Sequence, residues 1–149
     1  MRIAIGTDHA GFDLKQDLID RLEKAGHEVT DVGAFDAEPS DYPDSAAAVA
    51  RSVVSGESER GIVVCGSGAG AAIAAGKING IKAATIHDHY SAHQAVEHDG
   101  LNVLALGARV VGSESAWDIV QAYLSATFTG EERHLRRLAK VDELDRNRV

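Results

Sequence analysis

The sequence predicts a three-layer α/β/α fold with a five-stranded parallel sheet and one extra helix at its C-terminal end. Five short apolar runs alternate with segments whose apolar residues recur every three or four positions, and glycine or proline breaks separate them. A nearly continuous apolar run such as 61–65 is typical of a strand that a parallel sheet buries on both faces. Because crossovers between parallel strands are right-handed, few topologies remain, and we predict a Rossmann-like arrangement.

The elements follow one another as strand and helix along the chain. The predicted strands are 3–6, 27–33, 61–65, 82–86 and 102–106. The predicted helices are 14–25, 46–54, 71–78, 91–97, 113–126 and 131–146. Gly26 stands where the end of the first helix requires a left-handed residue. No strand follows the last helix, so we expect it either to cap the domain or to cross to a second subunit.

Length and composition predict one soluble domain over residues 1–149. Its 44% hydrophobic and 26% charged residues are ordinary for a globular protein, and no apolar window is long enough to span a bilayer. The first residues lack the apolar stretch of a signal peptide, and a single cysteine cannot form an internal disulfide. We therefore expect a cytoplasmic protein without a membrane partner.

The charge distribution argues against nucleic acid as a partner. The formal net charge is -8, whereas duplex binding requires many Lys and Arg side chains. Positive charge is concentrated at the C-terminal end, where 133–149 contains six basic residues and three acidic ones. A local positive patch on an acidic protein favours a small anionic ligand.

Ligands of parallel α/β sheets bind at the carboxyl ends of the strands. The segments 7–11, 65–70, 87–90 and 107–109 should therefore form one rim. Glycines at 66, 68 and 70 favour a nest of main-chain N–H groups that holds an anion, although this spacing also fits a plain tight turn. The loop lacks the Lys-Ser/Thr of a P-loop and the last glycine of a dinucleotide fingerprint.

Three side chains on this rim are candidates for chemistry. Cys65 precedes the glycines, where a nearby helix N-terminus lowers a thiol pKa below its free value of ~8.5, so a thiolate there could remove a proton. The alternative is a small apolar filler at a strand end. Asp8 and His9 follow the first strand, and a helix cap would explain Asp8, or Asp13, but not His9.

Two further groups lie on predicted helices. The histidines of 87–98 suggest zinc, but the only cysteine lies elsewhere and no HExxH is present, so we predict no metal. His98 ends its helix just before Asp99, a position suited to a proton donor. Arg133 and Arg137, four residues apart, suit a phosphate dianion, although a solvated basic face would look the same.

Six segments spread over the whole chain carry a family resemblance. They are GTDHAGFDLK (6–15), SDYPD (40–44), VVCGSGAGAAIAAGKINGIKAA (63–84), YSA (90–92), LGARVVG (106–112) and ERHLRR (132–137). In this order they resemble the type B ribose-5-phosphate isomerases and the wider family that includes galactose-6-phosphate and allose-6-phosphate isomerases.

The resemblance implies aldose–ketose isomerisation of a phosphosugar through an enediolate, without a metal or cofactor. It implies a homodimer, or a tetramer, whose active sites use both subunits. Cys65 would be the base, the amides of 66–70 would hold the enediolate with help from Ser67, and His98 would open the sugar ring. The implied substrate contacts are Asp8, His9, Tyr42, Gly66, Gly68, Ala69, Gly70, Asp99, Arg109, Arg133 and Arg137, with the three arginines as phosphate anchors.

Two departures from the family affect the choice of substrate. Gly76 stands where the family has a second Asn near the loop. Asp99 stands where the family usually has Asn, so an amide donor is replaced by an acceptor that is anionic at neutral pH. Ribose 5-phosphate is the leading substrate, and another phosphosugar of four or six carbons is the alternative. A non-catalytic module that binds sugar phosphates is the third hypothesis.

Overall fold

The computed structural model describes residues 1–147. Five strands form one sheet in the order β2-β1-β3-β5-β4, and every neighbouring pair is parallel. They are β1 (Arg2–Thr7), β2 (Glu28–Asp31), β3 (Arg60–Cys65), β4 (Ala83–Thr85) and β5 (Val103–Gly107). The predicted five-stranded parallel sheet is therefore confirmed.

Helices cover both faces of the sheet. They are α1 (Phe12–Lys24), α2 (Tyr42–Val54), α3 (Ala69–Ala75), α4 (His89–Asp99), α5 (Ser113–Ser125) and α6 (Glu132–Arg146). Alternate strand residues enter two separate apolar cores. Ile5 and Val64 pack on the side of α1, α4 and α5, whereas Ala4 and Val63 pack on the side of α2 and α3. This arrangement confirms the three layers.

Several helices begin earlier than the apolar pattern predicts. α2 starts at Tyr42 rather than 46, because Pro43 occupies its first turn, where a missing N–H breaks no helical hydrogen bond. α3 starts at Ala69 rather than 71, after Gly68 at φ +82°. α4 starts at His89 rather than 91, because the Asp88 carboxylate accepts the Ser91 amide at 2.7 Å. A side-chain cap thus sets the start of α4, whereas α2 and α3 begin without a side-chain hydrogen bond at the cap.

The last helix packs on only part of its surface. α6 contacts α4, but Leu135, Val141 and Leu144 are 51%, 45% and 73% exposed. Its apolar face is therefore incompletely covered in a single chain. Within residues 1–147, none of the helices combines the length and the apolar character needed to cross a membrane.

Candidate active site

A cavity of about 440 Å³ lies at the carboxyl edge of the sheet, where β1, β3 and β5 end side by side. Its lining residues are Asp8, His9, Ala10, Tyr42, Cys65, Gly66, Ser67, Gly70, Arg109 and Val110. Three of the four predicted rim segments meet here. The fourth does not reach the cavity, because His87, Asp88 and His89 line a separate depression against α5.

Cys65 is the last residue of β3 and lies at the floor of the cavity. It is only 4% exposed, yet it is one of the lining residues. Its Sγ accepts a hydrogen bond of 3.0 Å from the main-chain N–H of Gly68. This contact fixes the position of the sulfur relative to the loop that follows β3.

The main-chain N–H groups after Cys65 are oriented by the turn that follows β5. Ala108 N–H donates to the Cys65 carbonyl at 2.8 Å, and Arg109 N–H donates to the Gly66 carbonyl at 3.0 Å. Because C=O and N–H point in opposite directions across a trans peptide, the amides of Gly66 and Ser67 point away from this turn. Neither amide has an acceptor in the part of the chain that the structure describes. The predicted nest therefore offers free donors to an anion.

Glycine makes room for two neighbours of the nest. A Cβ at Gly70 would lie 2.8 Å from ring atoms of Tyr42, so only glycine lets this ring lie against the first turn of α3. A Cβ at Gly66 would lie 3.4 Å from Nη1 of Arg109, so the guanidinium is adjacent to the loop. An aromatic wall and a cation thus flank the free amides.

The β1 loop contributes a carboxylate and an imidazole. Asp8 accepts the Ala10 amide at 3.0 Å, which confirms its capping role, and it also lines the cavity. His9 Nδ1 accepts the Ser40 amide at 3.2 Å, so neutral His9 carries its proton on Nε2. Nε2 is therefore the ring nitrogen available to a ligand.

The other candidate residues lie elsewhere in the chain. α4 begins beside the carboxyl end of β4 and ends at Asp99, just before β5 begins, so His98 and Asp99 lie at the opposite edge of the sheet. Arg133 and Arg137 are exposed on α6, which packs against α4. None of these four side chains lines the cavity of its own chain.

His134 lies beside this second group, and the sequence analysis did not single it out. Its ring stacks on that of His98 with centroids 4.2 Å apart, and it is 2% exposed. Burial lowers the pKa of His134, and the nearby His98 and Arg133 act in the same direction. The sequence offered one signal for including His134 among the site candidates, its position between two arginines on a predicted helix.

The remaining histidines of α4 pair with carboxylates. His89 Nδ1 lies 3.1 Å from both carboxylate oxygens of Asp118, and His93 Nδ1 lies 3.4 Å from Glu97 Oε1. Across residues 1–147, no three His, Cys, Asp or Glu side chains are grouped so that they could hold a metal ion.

Comparison with known proteins matches this chain to one family. The model described as Ribose/Galactose Isomerase matches residues 3–141. Ribose-5-phosphate isomerase B of Escherichia coli (strain K12) is 43% identical over 147 residues, 99% of this chain and 98% of the relative. D-erythrulose-4-phosphate isomerase of Pectobacterium atrosepticum is 46% identical over 132 residues, 87% of this chain and 86% of the relative.

Solved structures agree with the sequence relatives. The structure of Clostridium thermocellum ribose-5-phosphate isomerase B superposes with a TM-score of 0.97 at 47% identity and covers 100% of both chains. Together the fold and the relatives define an enzyme of the aldose–ketose isomerase type. The chain belongs to the ribose/galactose isomerase family.

Proposed function

We propose that this enzyme interconverts ribose 5-phosphate and ribulose 5-phosphate through an enediolate, with Cys65 as the base. The observation that carries the proposal is the Cys65 sulfur beside the free amides of Gly66 and Ser67 in one cavity. Proton removal next to a carbonyl requires a base near the carbon and donors where charge develops on oxygen. Relatives named ribose-5-phosphate isomerase B support the choice of substrate.

The reaction moves one proton between two carbons. The Cys65 thiolate takes the proton from C2 of the open-chain aldose, and the electron pair moves onto O1 to form the enediolate. A proton then passes from O2 to O1, and the Cys65 thiol returns its proton to C1, which gives the ketose. The amides of Gly66 and Ser67 stabilise the charged oxygen. Ser67 Oγ accepts the Ala69 amide at 3.2 Å, which leaves its hydroxyl hydrogen for the same oxygen.

The far end of the substrate is a phosphate, and its proposed anchors come from two subunits. Arg109 belongs to the cavity, whereas His98, Asp99, Arg133 and Arg137 reach it from a second copy in a homodimer. Two features support this arrangement. His98, to which the resemblance assigns ring opening, does not line the cavity of its own chain, and α6 exposes apolar side chains beside its arginines.

Mixing two inactive variants tests the shared site. Cys65→Ala and His98→Ala should each be inactive alone. Refolded together, they should regain up to about a quarter of wild-type activity, because half of the dimers are mixed and each mixed dimer contains one complete site. No recovery, with mixed dimers shown by mass spectrometry, would contradict the shared site and leave the base assignment standing.

Solvent isotope incorporation tests the isomerase chemistry itself. In D₂O, deuterium should appear at C2 of ribose 5-phosphate and C1 of ribulose 5-phosphate as they interconvert, because the thiol exchanges with solvent. A module that only binds sugar phosphates would incorporate none.

We also propose that the chain folds as one domain and acts in the cytoplasm.

A second candidate is isomerisation of a four-carbon phosphosugar. The relative from Pectobacterium is named for D-erythrulose 4-phosphate, and Asp99 places a carboxylate where the family pattern has an amide donor. Phosphosugars of four, five and six carbons should be compared by kcat/KM. A higher kcat/KM of the wild type for the pentose would remove this candidate. If Asp99 adapts the site to a shorter sugar, Asp99→Asn should shift the preference toward the pentose, and an unchanged preference would contradict that role of Asp99.

A further inference from the structure

We propose that Thr85 and His87 are positioning residues that hold the catalytic loops in place from outside the cavity. Both belong to the edge of the sheet, Thr85 as the last residue of β4 and His87 two residues beyond it. Neither lines the cavity. What they hold in place rests on the proposed function, since it is the nest of the isomerase site.

The Thr85 hydroxyl binds the carbonyl of Gly68, the residue that precedes α3. Its Oγ1 donates to the Gly68 carbonyl at 2.9 Å. Gly68 has φ +82°, and its N–H is the donor to Cys65 Sγ. The Thr85 hydroxyl therefore fixes one side of the residue whose amide binds the catalytic sulfur. A Cβ on Gly68 would lie 2.9 Å from Cγ2 of Thr85, so the two residues are in close contact.

His87 holds the end of β5. The register pairs Thr85 with Ala105, so a β4 that continued straight would pair its main chain with Gly107. β4 ends at Thr85, and the His87 side chain takes over, because its Nε2 accepts the Gly107 amide at 2.9 Å. A nitrogen that accepts an N–H cannot carry a proton, so neutral His87 has its proton on Nδ1.

Gly107 in turn determines where the nest lies. A Cβ at Gly107 would come within 2.7 Å of the Ser67 carbonyl, so this residue is packed directly against the loop. The two residues after it donate to the carbonyls of Cys65 and Gly66, which turns the nest amides toward the cavity. Anchoring the Gly107 amide therefore orients donors that act on the developing charge.

Isosteric pairs of variants test the role of the two side chains. Thr85→Val and His87→Phe remove the hydrogen bonds and keep similar shapes, whereas Thr85→Ser keeps the hydroxyl and His87→Gln keeps an acceptor at the reach of Nε2. Because the amides act in the transition state, Thr85→Val and His87→Phe should lower kcat by about tenfold and change KM by less than about twofold. Thr85→Ser and His87→Gln should retain most of the wild-type kcat. An unchanged kcat in Thr85→Val, or an equal loss in Thr85→Ser, would overturn the role of Thr85.

A measurement on the resting protein tests the role of His87 without any substrate. Long-range ¹H–¹⁵N correlation spectra near neutral pH should show His87 with bare Nε2 and protonated Nδ1, with His87→Gln assigning the signals. A protonated Nε2 would overturn the hydrogen bond on which the proposal depends. This result is independent of the deuterium experiment. A failure of the positioning role of His87 is therefore distinguishable from a failure of the isomerase function.

Discussion

The main-chain N–H of Gly68 donates a hydrogen bond of 3.0 Å to the Cys65 sulfur, three residues earlier in the same loop. The loop that offers free amides to a ligand therefore also orients the proposed base. The positions of the base and of the donors therefore depend on the geometry of one short segment.

Replacing the sulfur should stop the reaction and spare the binding site. We expect Cys65→Ala to lower kcat by about 10²-fold or more, the usual contribution of a positioned general base. Affinity for ribitol 5-phosphate, which has no carbonyl to react, should stay within about threefold by calorimetry because the phosphate contacts persist. Turnover close to wild type in Cys65→Ala would refute the assigned base.

A methyl group at the end of β5 should damage the nest. In Gly107→Ala the new Cβ would fall 2.7 Å from the main chain of Ser67, and backbone cannot move aside as a flexible side chain does. We expect kcat to fall by about tenfold or more, because small displacements of catalytic donors are costly. Gly112→Ala is the matched control, since its Cβ meets nothing within 4 Å, and it should behave as wild type.

Lys15 of α1 and Asp31 of β2 form an ion pair, and replacing either residue should lower the free energy of unfolding by a different amount. The Lys15 side chain is fully buried and lies 2.7 Å from both oxygens of Asp31, which is 28% exposed. Asp31→Asn leaves a buried cation uncompensated and should lower the free energy of unfolding by about 3 kcal/mol. Lys15→Met leaves a carboxylate that water still reaches, so about 1–2 kcal/mol is expected.

Urea denaturation measures both losses in the ion pair. Lys24→Met, an exposed lysine on the same helix, should change stability by less than about 0.5 kcal/mol. A larger loss for Lys15→Met than for Asp31→Asn would show that the order of the two variants is wrong, and with it the assignment of the desolvated charge to the lysine.

Stability should fall on mild acidification because of His134. Burial holds its pKa below 6.5 in the folded protein, so the unfolded chain takes up the proton first as the pH falls. The stabilising effect is complete above about pH 6.5 and declines between that value and the lower folded pKa. His27, whose pKa burial also lowers, contributes with the same sign.

Unfolding free energies at about pH 8 and about pH 5.5 test this dependence. His134→Gln should reduce the difference between the two values, because the glutamine does not titrate. An unaltered difference in His134→Gln would contradict the prediction.

The alternation of periods in the sequence was sufficient to predict the sheet, since buried parallel strands require apolar runs and their connections require amphipathic helices. Cys65 and the glycines after it could be assigned to the carboxyl edge for the same reason. Helix starts at Tyr42, Ala69 and His89 were predicted too late, because the first turn of each helix precedes the apolar positions from which its start was predicted.

The sequence alone therefore determined the fold class and the chemical character of the glycine loop, because these follow from local periodicity and backbone freedom. Only the tertiary structure decided which candidates meet. α4 returns antiparallel to the strands, so it carries His98 and Asp99 to the edge opposite Cys65. It also brought Thr85 and His87 against loops about 20 residues away in the chain, a proximity that depends on sheet order and register and leaves no local pattern.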